Sequence, residues 1–206
     1  MPTSSENYQV ILFDLGGVLV ELGDTPLNSD WLSKNNKFTL KDWFHSETAI
    51  AFEKGLIAPN AFIEQFKADL SIDADSEKIL EHFTDWPIGL FAGVEELLLA
   101  LKKNYQLAIL SNTNELHWPR ITEEFKIPRY TDKLYASHIL NMAKPNLDIF
   151  QYVISDLGIQ PDKILFLDDN LANVEAAKTL GISGFLVSGI EQTINCLINR
   201  GVLNSE

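Results

Sequence analysis

The stretch Val10-Ile-Leu-Phe-Asp14-Leu-Gly-Gly-Val-Leu-Val20 constrains this chain more than any other. An apolar run, Val10 to Phe13, stops abruptly at the carboxylate of Asp14, and Gly16-Gly17 separates it from a second apolar run. Short apolar runs bounded by turn signals fit a strand buried on both faces, as at the centre of a parallel sheet. Open α/β sheets bind ligands beyond the carboxyl ends of their strands, where Asp14 would lie. The local alternative is that Asp14 caps a turn and the glycines let the chain reverse. The rest of the sequence decides between them by supplying the other half of a site, or failing to.

The same pattern recurs downstream. Leu107-Ala-Ile-Leu110 ends at Ser111-Asn112-Thr113-Asn114, and Lys163-Ile-Leu-Phe-Leu167 ends at Asp168-Asp169-Asn170. Lys133 to Ala136 and Ser183 to Val187 are further strand candidates. Helical stripes lie between them: Val94 to Leu101, Asp148 to Leu157 closed by Gly158, Leu171 to Leu180 stopped by Gly181, and Thr193 to Asn199. Glu115 to Phe125 is helical in part, interrupted at Pro119. Strands alternating with helices predict βαβ crossovers and a doubly wound, Rossmann-like α/β fold with a parallel sheet covered on both faces. In such a sheet the strand ends share one edge, so Asp14, Ser111-Asn112 and Asp168-Asp169 converge.

Between about Pro26 and Trp86 the texture changes. Aromatic residues are frequent (among them Trp31, Phe38, Trp43, Phe44, Phe52, Phe62, Phe66 and Phe83) and β-branched runs are absent. Ala58, Phe62, Ile63, Phe66 and Leu70 form a helical stripe with Pro59 near its start. The expected division is a core of residues 1–22 and 88–206 with an inserted helical module at 23–87, entered through a turn or short ribbon at Glu21 to Asp24.

The formal net charge of −13 argues against nucleic acid, because no surplus of Lys and Arg exists to neutralise phosphates. A small phosphorylated metabolite needs only a local cation and backbone N–H groups, and remains compatible. The lone Cys196 sits in an apolar setting, rules out an internal disulfide, and reads as inert packing. No signal peptide and no membrane span is visible, so the expectation is a cytoplasmic protein, monomer or homodimer, with no membrane partner.

Three carboxylates crowded on one edge need a cation to stay ionised. Hard oxygen ligands without His or Cys suit Mg²⁺. Lys144, in Met142-Ala-Lys-Pro-Asn146, has a loop position from which it could balance the acids and a substrate phosphate. Ser111 and Asn112 offer a hydroxyl, an amide and backbone N–H groups for an anion.

In that order, Asp14 with its glycine turn, Ser111-Asn112, Lys144-Pro145 and Asp168-Asp169 resemble the four motifs of the haloacid dehalogenase superfamily. The resemblance runs from about residue 8 to 190, and the inserted module is similar to a C1-type cap. Leu110-Ser-Asn-Thr-Asn114, Ala143-Lys-Pro145 and Phe166-Leu-Asp-Asp-Asn170 look like the bacterial α-glucose-1-phosphate phosphatase branch. The resemblance implies a Mg²⁺-dependent phosphatase of a small sugar phosphate, such as a sugar 1-phosphate. Asp14 would be the nucleophile, Ser111 and Asn112 would hold the transferring oxygens, and Lys144 would offset their charge. Asp14, Asp169 and the Gly16 carbonyl would bind the metal, with Asp168, Asn170 and Asn173 in support.

Gly16 departs from the pattern, since most phosphatases of this superfamily carry an acid/base aspartate there. Its loss could cost about 10²–10⁴-fold in rate unless something substitutes. A leaving group that needs little protonation would tolerate it; otherwise Glu21, Asp24, His45 or Glu47 could supply an acid. The alternatives are a 2-haloacid dehalogenase, which also lacks that aspartate but leaves Asp168-Asp169 unexplained, or a degenerate binding module. Among the other residues, His45 reads as solvated or at a core edge, and His117 and Trp118 as candidates for the site rim. The module's aromatics read mainly as core, with Trp43 or Phe44 left as a surface for a sugar. Asn141 stands where a positive φ would be tolerated.

Overall fold

The structure is a computed structural model that describes residues 7–32, 42–43 and 46–204. Phe38, Phe44 and His45 lie outside the described residues. Strands β1 (Val10–Phe13), β4 (Gln106–Ser111), β5 (Lys133–Ala136), β6 (Ile164–Asp168) and β7 (Ser183–Leu186) form one parallel sheet in the order β5-β4-β1-β6-β7. The first strand is therefore central, and the chain builds outward from it on both sides. That is the switch point at which such sheets bind ligands.

Burial of β1 on both faces follows from its alternation. Ile11 and Phe13 pack with Leu107, Ile109, Leu165 and Leu167, under helix α4 (Val94–Leu101) and helix α8 (Gly189–Asn199). Val10 and Leu12 pack with Ala108, Leu110, Ile164 and Phe166, under α6 (Leu147–Leu157) and α7 (Leu171–Thr179). Gly158 ends α6 with φ 64°, the left-handed stop its sequence predicts.

A further apolar cluster gathers Trp43, Phe52, Phe62, Phe66, Phe83 and Trp86 from α1 (Glu47–Glu53), α2 (Pro59–Leu70), α3 (Ser76–Thr84) and the adjoining chain. Phe52 stacks on Phe62 with ring centroids 4.2 Å apart. The stem is an antiparallel ribbon of β2 (Val20–Leu22) and β3 (Pro87–Leu90), and Leu22 packs against both this cluster and the sheet.

Some elements differ from the sequence expectation. The ribbon's return strand β3 has no alternation to announce it, and α5 (Ser137–Leu140) spans barely one turn. Arg120–Glu124 is a π turn just past Pro119. Helix α8 begins earlier than Thr193, at Gly189, whose N–H donates to the Gly17 carbonyl at 2.7 Å. Asn141 has φ 55°, as its residue type allows. No helix among the described residues is long and apolar enough to cross a membrane.

Candidate active site

Period-2 geometry places the site. Leu12 is in register with Phe166, so Asp14 and Asp168, two residues further on, project from the same face. The Asp14 N–H donates to the Leu167 carbonyl at 2.8 Å, which keeps the acid aligned with the sheet. Lys144 Nζ lies between the two carboxylates, 2.9 Å from Asp14 Oδ1 and 2.7 Å from Asp168 Oδ2. It also donates to the Leu110 carbonyl at 2.8 Å, so all three ammonium donors are engaged. The cluster is buried, with exposures of 8% for Asp14, 4% for Lys144 and 0% for Asp168.

The neighbouring amides hold this arrangement. Asn112 Nδ2 donates to the Lys144 carbonyl while its Oδ1 accepts from the Lys144 N–H, both at 2.9 Å. The Asn112 side chain thus fixes the lysine's backbone, with one N–H and one lone pair of its amide still uncommitted beside the cavity. Asp168 Oδ1 accepts from the Asn170 N–H at 2.8 Å and from Asn173 Nδ2 at 3.0 Å. Asn170 in turn caps α7 through the Ala172 N–H. Ser111 is buried, and its hydroxyl has one long contact, 3.4 Å to the Asn112 carbonyl.

The two glycines have different duties. Gly17 has φ 70°, and a Cβ there would collide with the Asp169 carboxylate. Gly16 has no such φ, and a Cβ there would meet the Leu22 Cδ1 methyl at 3.1 Å. The turn therefore requires glycine at 17, to seat Asp169, and not at 16.

Charge in the cluster is unbalanced: three acids face one lysine. Burial, then Asp168 and Asp169, push the Asp14 carboxyl up to about 7, with Lys144 opposing. Asp169 is exposed by area, yet desolvation of its carboxyl against the loop and the charge of Asp168 push it up to about 6. Burial works to lower Lys144, but Asp14 and Asp168 outweigh it and hold the ammonium above its ordinary range. One oxygen from each of Asp14, Asp168 and Asp169 falls within 4.8 Å of the others. With the buried Asn173 Oδ1 lacking a partner among the described residues, this all-oxygen donor set fits a hard divalent cation such as Mg²⁺.

Over the cluster lies a cavity of about 380 Å³, within the range of small-molecule sites. Asp14, Gly16, Ser111, Asn112, Lys144, Asp169, Asn170 and Asn173 all line it, and Asp168 lies beneath. Glu21, Asp24 and Glu47 are exposed and none lines it. His117 does, but both ring nitrogens are committed: Nε2 donates to the Phe83 carbonyl at 2.7 Å and Nδ1 accepts from Asn114 Nδ2 at 3.1 Å. It therefore stitches α3 to the loop after β4.

Sequence reasoning missed two wall residues, Glu53 and Thr113. Glu53 lines the cavity and accepts from the Trp43 indole N–H at 3.1 Å. Its signal was present: Ala49, Phe52 and Glu53 share the i, i+3, i+4 stripe of α1, and a carboxylate on an apolar stripe is out of place. Thr113 is buried, and its hydroxyl has no partner among the described residues.

An aspartate–lysine–aspartate cluster thus stands at the carboxyl edge of a doubly wound sheet, where folds of this class bind their ligands. The sequence matches the haloacid dehalogenase-like hydrolase family over residues 8–181, and the chain belongs to that family. It is 31% identical over 189 residues to a D-ribitol-5-phosphate phosphatase of Bacteroides thetaiotaomicron, covering 85% of this chain and 89% of that protein. A solved haloacid dehalogenase family enzyme from the same organism, bt-2542 in complex with magnesium and inorganic phosphate, superposes with a TM-score of 0.73 at 29% identity. That match covers 87% of this chain and 93% of the other. An L-2-haloacid dehalogenase, PA0810, at 20% identity and a TM-score of 0.60 over 85% of this chain and 82% of its own, shares the fold alone.

Proposed function

We propose that this chain hydrolyses a small phosphorylated metabolite, a sugar or sugar-alcohol phosphate, with Mg²⁺ and through an aspartyl phosphate on Asp14. Its broader class, a phosphoric monoester hydrolase, rests on the family match and on the phosphatase relatives. The observation that carries the finer reading is Lys144 Nζ between Asp14 and Asp168 at the floor of a cavity sized for such a metabolite.

In this reading Asp14 presents the attacking oxygen, and Lys144 orients it while offsetting charge on the transferring group. The underused Ser111 hydroxyl and the unpartnered Thr113 hydroxyl face phosphoryl oxygens. Asp14, Asp169 and the Gly16 carbonyl would hold Mg²⁺, with Asp168 and Asn173 in support. When bound, Mg²⁺ keeps the carboxylates ionised and stabilises charge on the phosphoryl group. The module at 23–87 would act as a cap whose wall, Trp43 included, selects the substrate.

A panel of sugar, sugar-alcohol and sugar 1-phosphates assayed with and without Mg²⁺ tests this. Turnover that needs Mg²⁺ and is abolished by Asp14→Asn is expected. No turnover above that variant sinks the reading. Gly16 keeps a dehalogenase as the competing reading, but a metal-free reaction would leave Asp169 beside Asp168 uncompensated. Halide release from a 2-haloacid without metal would decide for it.

A further inference from the structure

We propose that Glu53 is the acid/base this site lacks at Gly16, protonating the leaving oxygen and then accepting a proton from the attacking water. The inference rests on the phosphatase reading and adds to it the group that moves the proton. Among the described residues, Asp14, Asp169 and Glu53 are the acids that line the cavity. The first two belong to the carboxylate cluster, which leaves Glu53 as the lining acid contributed from outside it, by α1.

Its placement is fixed by the core. The Glu53 carbonyl lies 2.5 Å from Ser137 Oγ, and the same hydroxyl is 2.9 Å from the Thr113 carbonyl and accepts the Thr113 N–H at 2.9 Å. Asn141 Nδ2 donates to the next carbonyl, that of Lys54, at 2.9 Å. The C-terminal end of α1 is thus tied to the loop after β4, one residue from Asn112. The Trp43 indole N–H orients the carboxyl from the other side. Burial pushes that carboxyl up to about 7, against the indole bond and the attraction of Lys144. Both protonation states are therefore available near neutral pH, as a group that gives and regains a proton requires.

Two steps follow. Asp14 attacks phosphorus, the bond from phosphorus to the ester oxygen breaks, and the Glu53 proton passes to that oxygen, releasing the alcohol. Water then attacks the aspartyl phosphate and gives its proton to the Glu53 carboxylate. The bond from phosphorus to Asp14 breaks, and inorganic phosphate and both starting carboxyl groups are restored.

The test compares two esters in wild type, Glu53→Gln and the double variant Gly16→Asp/Glu53→Gln. One ester is the alkyl phosphate the wild type turns over best; the other is p-nitrophenyl phosphate, whose leaving group departs without a proton. Glu53→Gln should lower kcat on the alkyl ester by about 10²–10⁴-fold with little change in KM. On the aryl ester it should release one burst of nitrophenolate per folded enzyme and then turn over slowly. A Cβ at 16 meets only the Leu22 side chain, whose methyl can give way, so the double variant should regain at least about tenfold on the alkyl ester. An unimpaired Glu53→Gln, a change in KM alone, or an equal loss on both esters with no burst and no recovery overturns the assignment while the phosphatase reading stands. A wild type inert on every ester overturns both.

Discussion

Asn112 and Lys144 grip each other through two reciprocal hydrogen bonds of 2.9 Å, side-chain amide against backbone amide, 32 residues apart in sequence. The pairing sets where the lysine loop crosses the floor of the site, and hence where Nζ reaches. Asn112→Asp keeps the acceptor for the Lys144 N–H but turns a carboxylate oxygen toward the Lys144 carbonyl. We expect kcat to fall by about 10²-fold, the scale of a small misplacement of reacting groups, with KM little changed. Steady-state kinetics on the best substrate measure this, and a pure KM effect would contradict it.

Removing the lysine itself strikes stability. Lys144→Met strips three acceptors of their donor at once: Asp14, Asp168 and the Leu110 carbonyl. Breaking one side of a buried charge pair costs about 3–5 kcal/mol. Adding Asp168→Asn to the variant should recover part of that loss. Urea unfolding of the four members of this double-mutant cycle, in chelator, reads the coupling, and strict additivity would refute it.

Alanine at 16 and at 17 should behave differently. Gly17→Ala forces a positive φ on a residue with a Cβ and drives that atom into Asp169, so folding is expected to weaken by more than about 1 kcal/mol. Mg²⁺ affinity, followed by titration calorimetry, should drop with it. Gly16→Ala displaces one methyl of Leu22 and should leave both nearly intact. Equal damage from the two substitutions would refute the distinction.

Two groups, the buried His117 and the partly buried Glu53, tilt the stability–pH curve in opposite senses. Burial lowers His117 from 6.5 to about 4, so the unfolded chain takes up that proton first. Its contribution is complete above pH 6.5 and is lost as pH falls toward 4. Burial raises Glu53 from 4.5 to about 7, so its contribution is complete below pH 4.5 and is lost as pH rises through 7. Chemical denaturation between pH 4.5 and 8 should show Glu53→Gln gaining on wild type as pH rises, and His117→Gln flattening the acid limb. A constant offset across the range would count against either.

Much of the site is written in sequence because strand ends in a parallel sheet share an edge. The run into Asp14, the run into Ser111 and the run into Asp168 each mark an end, and Lys144 stands in the one loop that could join them. What the residues do to one another was less legible. Nothing in the letters around Asn112 says that its amide pairs with the Lys144 backbone. Gly16 and Gly17 look alike until φ and the position of Asp169 separate them. Glu53 reaches the site only because Ser137 and Asn141 seat the end of α1, and that non-local contact has no local pattern. The return strand β3, with Gly89 in its middle, lacked the alternation that would have announced it.

The register that aligns Leu12 with Phe166 also works as a ruler. Asp14 and Asp168 meet Lys144 because each stands two residues past that pair, on the same face. One residue inserted into β1 would turn Asp14 to the other face of the sheet, leaving composition and fold almost untouched while dismantling the site. Some sixty residues between β2 and β3 cause no such phase error, since both ends of that excursion return to a single ribbon. Length is therefore free to vary where the chain leaves the sheet and is counted residue by residue where it lies within it.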